Sequence, residues 1–202
     1  MEILKHSIIG ILMLLVVSTS AQGVEEAFLQ SYKLEQETRY DEAASVLIKV
    51  YDKKSYATNL RLGWLNYLSG QLMQSNEYYD ICLKLKPLSI EARLGKTYPE
   101  SSLGNWENVK SLYLQILEIA PNNYTANLKL AQIYFYAGEY TKAEKVYKLI
   151  LNQYPFTFDV VIGAAWNNYY LGKLREAKIL FKNALLLYPD NESAKEGLNL
   201  IK

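Results

Sequence analysis

Apolar, small and turn-forming positions recur along this chain with a fixed period. Gly70, Gly104, Gly138 and Gly172 stand 34 residues apart, and Pro87, Pro121, Pro155 and Pro189 follow them 17 residues behind with the same period. Counted from each glycine, position +5 is small or apolar (Ser75, Val109, Ala143, Ala177), and position +9 is ring-sized (Tyr79, Tyr113, Tyr147, Phe181). Position +12 holds Cys82, Ile116, Ile150 and Ala184, while position −7 holds Gly63, Thr97, Ala131 and Ala165. An earlier copy fits less well, with Thr38 for the glycine, Ala43, Leu47, and Ser55 for the proline. A glycine closes a helix C-terminus in the left-handed region, and a proline stops the next helix from continuing. Each unit is therefore two helices with a tight turn between them. Small residues allow the helices to approach, and rings fill the space between. A unit of this length cannot bury its own apolar face, so the units stack into a solenoid.

This pattern resembles the tetratricopeptide repeat. Five copies are counted, at about residues 24–55, 56–89, 90–123, 124–157 and 158–191, so the resemblance covers one solenoid over residues 22–202. It implies an all-α, right-handed α-solenoid of helix-turn-helix repeats. After Pro189, Asp190 or Asn191 caps a last helix, Glu192 to Lys202, with Ala194, Leu198 and Ile201 on one side and Lys195, Glu196 and Asn199 on the other. That helix is expected to solvate the end of the stack. Pro99 falls inside the first helix of the third copy and is expected to kink or shorten it.

Residues 1–21 lie outside the repeats. Lys5 and His6 precede an apolar run from Ile8 to Val17 and the small residues Ser18 to Ala21. A spanning helix wants about 20 apolar residues, so this reads as a secretory signal peptide cleaved near Ala21. The mature chain is then exported, periplasmic or secreted, with no stable membrane insertion after cleavage; the alternative is an uncleaved N-terminal anchor.

Chemistry is scarce. His6 is the single histidine and falls in that leader, which removes a triad, a proton shuttle or a zinc site from the repeats. Leu94-Gly95-Lys96-Thr97 echoes the end of a phosphate-binding loop, but Ile90 stands where its first glycine belongs. No catalytic residue, metal ligand or cofactor is expected. Cys82, the single cysteine, occupies a packing slot and reads as a small buried hydrophobe. Asn123-Tyr124-Thr125 and Asn191-Glu192-Ser193 match a glycosylation acceptor and equally a turn and cap. The net charge is +1 with the signs interspersed along the second helices, so no electrostatic footprint for nucleic acid or an anionic membrane exists.

In the tetratricopeptide family the first helices line a concave groove. Transferred to this chain, the groove slots hold Phe28 and Tyr32; Leu60, Trp64, Tyr67 and Leu68; Leu94 and Tyr98; Leu128, Phe135 and Tyr136; and Ile162, Trp166, Tyr169 and Tyr170. Apolar rings stand where members that clamp a C-terminal carboxylate carry lysine, asparagine and arginine, which disfavours that mode. The expected partner is a peptide or protein segment held by rings. Two other readings stay open. One is a glycan laid on Trp64 and Trp166 with Asn66, Asn167 and Asn168 beside them; the other is self-association through the groove.

Overall fold

The computed structural model describes residues 23–201, and among these every regular element is helical. Helix α1 is described over residues 23–36. It is followed by α2 Tyr40–Ile48, α3 Tyr56–Leu68, α4 Leu72–Leu85, α5 Ile90–Ser102, α6 Trp106–Ile119, α7 Tyr124–Tyr136, α8 Tyr140–Gln153, α9 Phe158–Tyr170, α10 Leu174–Leu187 and α11 Glu192–Leu200. The expected leader, with His6 and its cleavage site, lies outside the described residues. The chain forms two compact units, one ending at Trp106 and the other beginning at Glu107.

Local chemistry sets the helix ends. Gly70 has φ 81° and closes α3: its N–H donates to the Tyr67 carbonyl at 3.0 Å, and Gln71 N–H reaches back to the Asn66 carbonyl at 2.8 Å. This pair of bonds satisfies carbonyls that a helix end leaves orphaned. The other three period-setting glycines repeat it. Helices α3, α5, α7 and α11 start on a short polar side chain: Ser55, Ser89, Asn123 and Asn191 accept from the N–H three residues on, at 2.9–3.3 Å, whereas Thr157 before α9 makes no such bond. Both acceptor-pattern asparagines are thus helix caps. A second asparagine pins the turn between repeats, since Asn127 Nδ2 donates to the Pro121 and Asn123 carbonyls and Asn59 Nδ2 to those of Lys53 and Ser55.

The first repeat departs from the sequence expectation. Ser55 does not stand in for the closing proline; it caps α3, as Ser89 caps α5. Because Thr38 and Gly70 are only 32 residues apart, this repeat is two residues short, and α2 has 9 residues where α4 has 14. Thr38 nevertheless adopts φ 59° and makes the same closing bonds, to Glu35 and from Arg39 to Leu34. A side chain in that region costs roughly 1–2 kcal/mol, against roughly 0.5–1 kcal/mol for the extra freedom a glycine loses on folding. Thr38→Gly is therefore expected to stabilise the protein by about 0.5–1 kcal/mol, read as a higher urea midpoint at unchanged slope; a lower midpoint would contradict it.

Pro99 does not shorten α5, which has 13 residues like α3, α7 and α9. The proline sits in the last turns, where it removes a single donor. The end is still closed by Leu103 N–H on the Pro99 carbonyl (3.0 Å) and Asn105 N–H on that of Glu100 (2.9 Å), and the ring is fully buried.

The N-terminal unit has a core of Ala27, Leu34, Ala43, Leu47, Leu62 and Leu65. In the C-terminal unit, Leu128, Ala131, Tyr147, Ile150 and Val160 form one cluster and Val161, Ala165, Phe181, Ala184 and Ala194 another. The terminal helix α11 covers the second through Ala194 and Leu198, with Ile201 just past its end; it ends at Leu200 rather than at the expected Lys202. The small and ring-sized columns meet as the pattern requires. A Cβ on Gly95 would lie 2.3 Å from the Tyr79 ring, one on Gly163 2.5 Å from Tyr147 and one on Gly197 2.2 Å from Phe181.

Cys82 is fully buried, with its Sγ 3.7 Å from the Tyr56 carbonyl. Burial, with Glu91 adding, pushes its pKa up to about 12. An unfolded thiol ionises near pH 8.5, so this group's contribution to stability is whole below that pH and is lost between about 8.5 and 12. Two checks follow. Native protein should fail to react with a thiol-specific disulfide reagent at pH 8 while unfolded protein reacts at once, and Cys82→Ala should flatten part of the stability loss above pH 9; rapid native labelling would contradict this.

Candidate functional site

The first helices of the N-terminal unit place apolar side chains at i, i+3, i+4 and i+7 spacings, one stripe per helix. In α1 these are Phe28 and Tyr32; in α3 Ala57, Leu60 and Trp64, with the charged Arg61 beside them; in α5 Ile90, Leu94 and Tyr98. Together they line a groove of about 690 Å³, with Tyr79 of α4 beneath and Glu91 at its side. Trp64, Tyr67 and Tyr98 form a ring cluster with centroid separations of 5.3–5.6 Å. Tyr32 and Tyr98 remain about half exposed, while Phe28, Leu60, Trp64 and Tyr67 are partly buried.

A polar network not anticipated from the sequence stands behind these rings. Arg61, only 7% exposed, pairs its Nη1 with Glu35 Oε2 at 2.5 Å and donates from Nε to Ser31 Oγ at 2.9 Å. The Trp64 indole N–H donates to the other Glu35 oxygen at 2.6 Å, which fixes the orientation of its ring. Tyr32 lies over the guanidinium, 3.8 Å from ring centroid to Cζ. A signal for Arg61 is present in the sequence. Its column, nine residues before each glycine, otherwise reads Gly95, Lys129 and Gly163, with Gly197 one period on. The three glycines of the column each sit against the ring of the preceding copy, Gly95 against Tyr79, Gly163 against Tyr147 and Gly197 against Phe181, whereas the copy before Arg61 brings Leu47; Lys129, which follows Tyr113, shows that a ring does not by itself demand glycine.

In the C-terminal unit the remaining groove candidates pack among themselves. Phe135 meets Tyr136, Tyr140 and Tyr170 at 5.4–5.6 Å, and Tyr140 stacks on Tyr170 at 5.0 Å. Tyr136 is 84% exposed and Tyr170 about half. Trp166 is committed to packing: it lies edge-on to Phe181 at 5.0 Å, contacts Tyr169 at 5.6 Å and donates its N–H to Ser193 of α11 at 2.8 Å. Leu128, expected in the groove, is buried in the core with Ala131 and Tyr147. The amides expected beside a sugar are turned to backbone instead: Asn66 Nδ2 to the Leu62 carbonyl, Asn167 Nδ2 to that of Tyr140, and Asn168 Nδ2 to that of Ala164. Lys96, of the phosphate-loop echo, sits within α5 and pairs with Asp80 at 2.5 Å.

The charged second helices are less uniformly solvated than their sequence suggests. Glu144 of α8 is mostly covered and pairs with Lys148 and, across the repeat boundary, with Lys173 at 2.6–2.7 Å. Hydrogen bonds from Lys148 and then Lys173 hold its carboxyl below the usual range. Among the described residues no group of three His, Cys, Asp or Glu side chains is placed to hold a metal ion, and no helix is long and apolar enough to cross a membrane.

A family model for the tetratricopeptide repeat matches residues 102–160. Those residues carry the tetratricopeptide repeat. Solved structures agree with this tetratricopeptide fold. A tetratricopeptide repeat protein from Parabacteroides merdae superposes with a TM-score of 0.77 at 20% identity, over 89% of this chain and 72% of that one. MamA gives 0.70 at 20% identity, over 82% and 91%. YrrB, described as a TPR protein with an unusual peptide-binding site, gives 0.71 at 13% identity, over 89% and 97%. No curated protein matches the sequence. At these identities the likeness establishes the fold, and the object bound has to be argued from this chain's own residues.

Proposed function

We propose that this tetratricopeptide protein is a non-catalytic interaction module whose N-terminal groove grips an extended or helical segment of another protein. One observation carries the reading: three first helices converge their apolar stripes on a groove of about 690 Å³, whose tryptophan is held in place by Glu35. The volume falls within the range that ligand sites occupy, and rings with a polar tip are the residues that dominate protein interfaces. The apolar run and small residues of positions 8–21 support export, so the partner belongs to the cell envelope or its exterior. YrrB, with a peptide-binding site on the same fold, makes a peptide the first ligand to try.

The test is a peptide array probed with the full-length chain and with Leu60→Asp and Leu94→Asp, each of which puts a charge on the groove floor. Binding to apolar peptides should fall at least tenfold with either variant, since about 1.4 kcal/mol is tenfold in affinity. Retention on wild type and both variants alike would place any binding elsewhere.

A further inference from the structure

We infer that the groove selects an uncharged, apolar peptide segment that presents a neutral carbonyl to Arg61, and that it discriminates against acidic segments. This rests on the groove reading above and concerns what that groove accepts. Arg61 lines the groove, is nine-tenths buried and leaves Nη2 without any hydrogen-bond partner, although Nη1 and Nε are both engaged. Two other buried polar atoms among the described residues lack partners, Asn76 Oδ1 and Asn167 Oδ1, and neither lines this groove. A buried donor without an acceptor is costly, so a ligand that supplies one gains affinity that a purely apolar ligand does not. The ring of Tyr32 covers the guanidinium and is half exposed, so an incoming segment reaches Nη2 by turning that ring aside.

Charge decides which acceptor fits. The positive charge of Arg61 is already matched by Glu35, whose second oxygen is held by Trp64. Arg61 and Glu91 are the charged side chains lining the groove, and the Tyr56 hydroxyl donates to Glu91 at 3.2 Å. A carboxylate brought to Nη2 would therefore share one cation with Glu35 and face Glu91 as well. A peptide carbonyl takes the hydrogen bond without that repulsion. The like-charge juxtaposition acts as specificity against acidic partners, and the rings supply the affinity.

The experiment titrates the full-length protein with N-acetylated, C-amidated leucine- and alanine-rich peptides: a neutral one, the same peptide carrying glutamates, and a thioamide analogue whose sulfur accepts hydrogen bonds weakly. The neutral peptide should bind, the glutamate peptide about tenfold more weakly, and the series of single thioamides should contain one position that loses about tenfold. Arg61→Lys, which keeps a cation for Glu35 but loses the fork of donors, should weaken the neutral peptide to a similar degree; the thioamide series on the wild type decides the matter if that variant does not fold. Tightest binding by the glutamate peptide, or indifference to both Arg61→Lys and every thioamide, overturns this inference while the groove reading stands. Failure of all peptides, with or without binding of a neutral oligosaccharide such as chitohexaose, overturns the groove reading and this inference together.

Discussion

Phe181→Ala is expected to cost about 3–5 kcal/mol and to separate the unfolding of the C-terminal end from that of the remaining chain. The ring is fully buried and belongs to the cluster of Val161, Ala165, Ala177, Ala184 and Ala194, mostly small residues that cannot expand into the space it leaves. It also supports Trp166 edge-on at 5.0 Å and fits against Gly197, so its loss loosens α9 and α11 together. In a repeat protein, where stability is roughly a sum of neighbour interfaces, such a change unfastens the end of the stack before the rest. Urea unfolding should show two separate transitions, with hydrogen exchange in α11 accelerated to match the earlier one. A single transition shifted by less than about 1 kcal/mol would contradict the assignment of Phe181 as the pin of the terminal cap.

Gly95→Ala should be destabilising by about 1–3 kcal/mol in the wild type and should change sign when Tyr79 is replaced by leucine. In open helix interior the change would stabilise, because alanine is about 1 kcal/mol better than glycine. Here a Cβ would lie 2.3 Å from the Tyr79 ring, itself nearly fully buried and also set against Gly63, so the ring has nowhere to retreat. Tyr79→Leu costs stability alone but opens that space, and the helix preference then shows through. A double-mutant cycle should give a coupling energy of about 2 kcal/mol; additive effects would mean that ring and glycine are not matched.

Such matches between columns make much of the fold legible in the sequence. The glycines and prolines that close helices act through backbone geometry alone, so their columns mark the helix turns without knowledge of packing. The first repeat is ambiguous because a serine at position 55 satisfies either register until the asparagine and cap bonds show which one the chain uses. For the site, the family's groove slots gather Phe28, Tyr32, Leu60, Trp64 and Tyr98, which line one groove. They pass over Arg61 and Glu35, because the slots record which positions face the groove in a regular repeat, and Arg61 stands in a glycine column. Trp166 occupies the same slot as Trp64 but belongs to the last pair, where Ser193 of the terminal helix takes its N–H and Phe181 of α10 packs edge-on to its ring.

If the stripe of first helices in the N-terminal unit is the binding surface, a partner must lie within reach of its floor. The most direct measurement places a photoreactive benzophenone side chain at Leu94, in the groove, and separately at Leu149, an exposed position on the second helix α8, in the full-length protein expressed in its own cells. Irradiation should yield a discrete cross-linked partner from position 94, suppressed when Trp64 and Tyr98 are both alanine, and none from position 149. Equal cross-linking from both positions, or a product at 94 that survives loss of the two rings, would contradict a binding role for the groove.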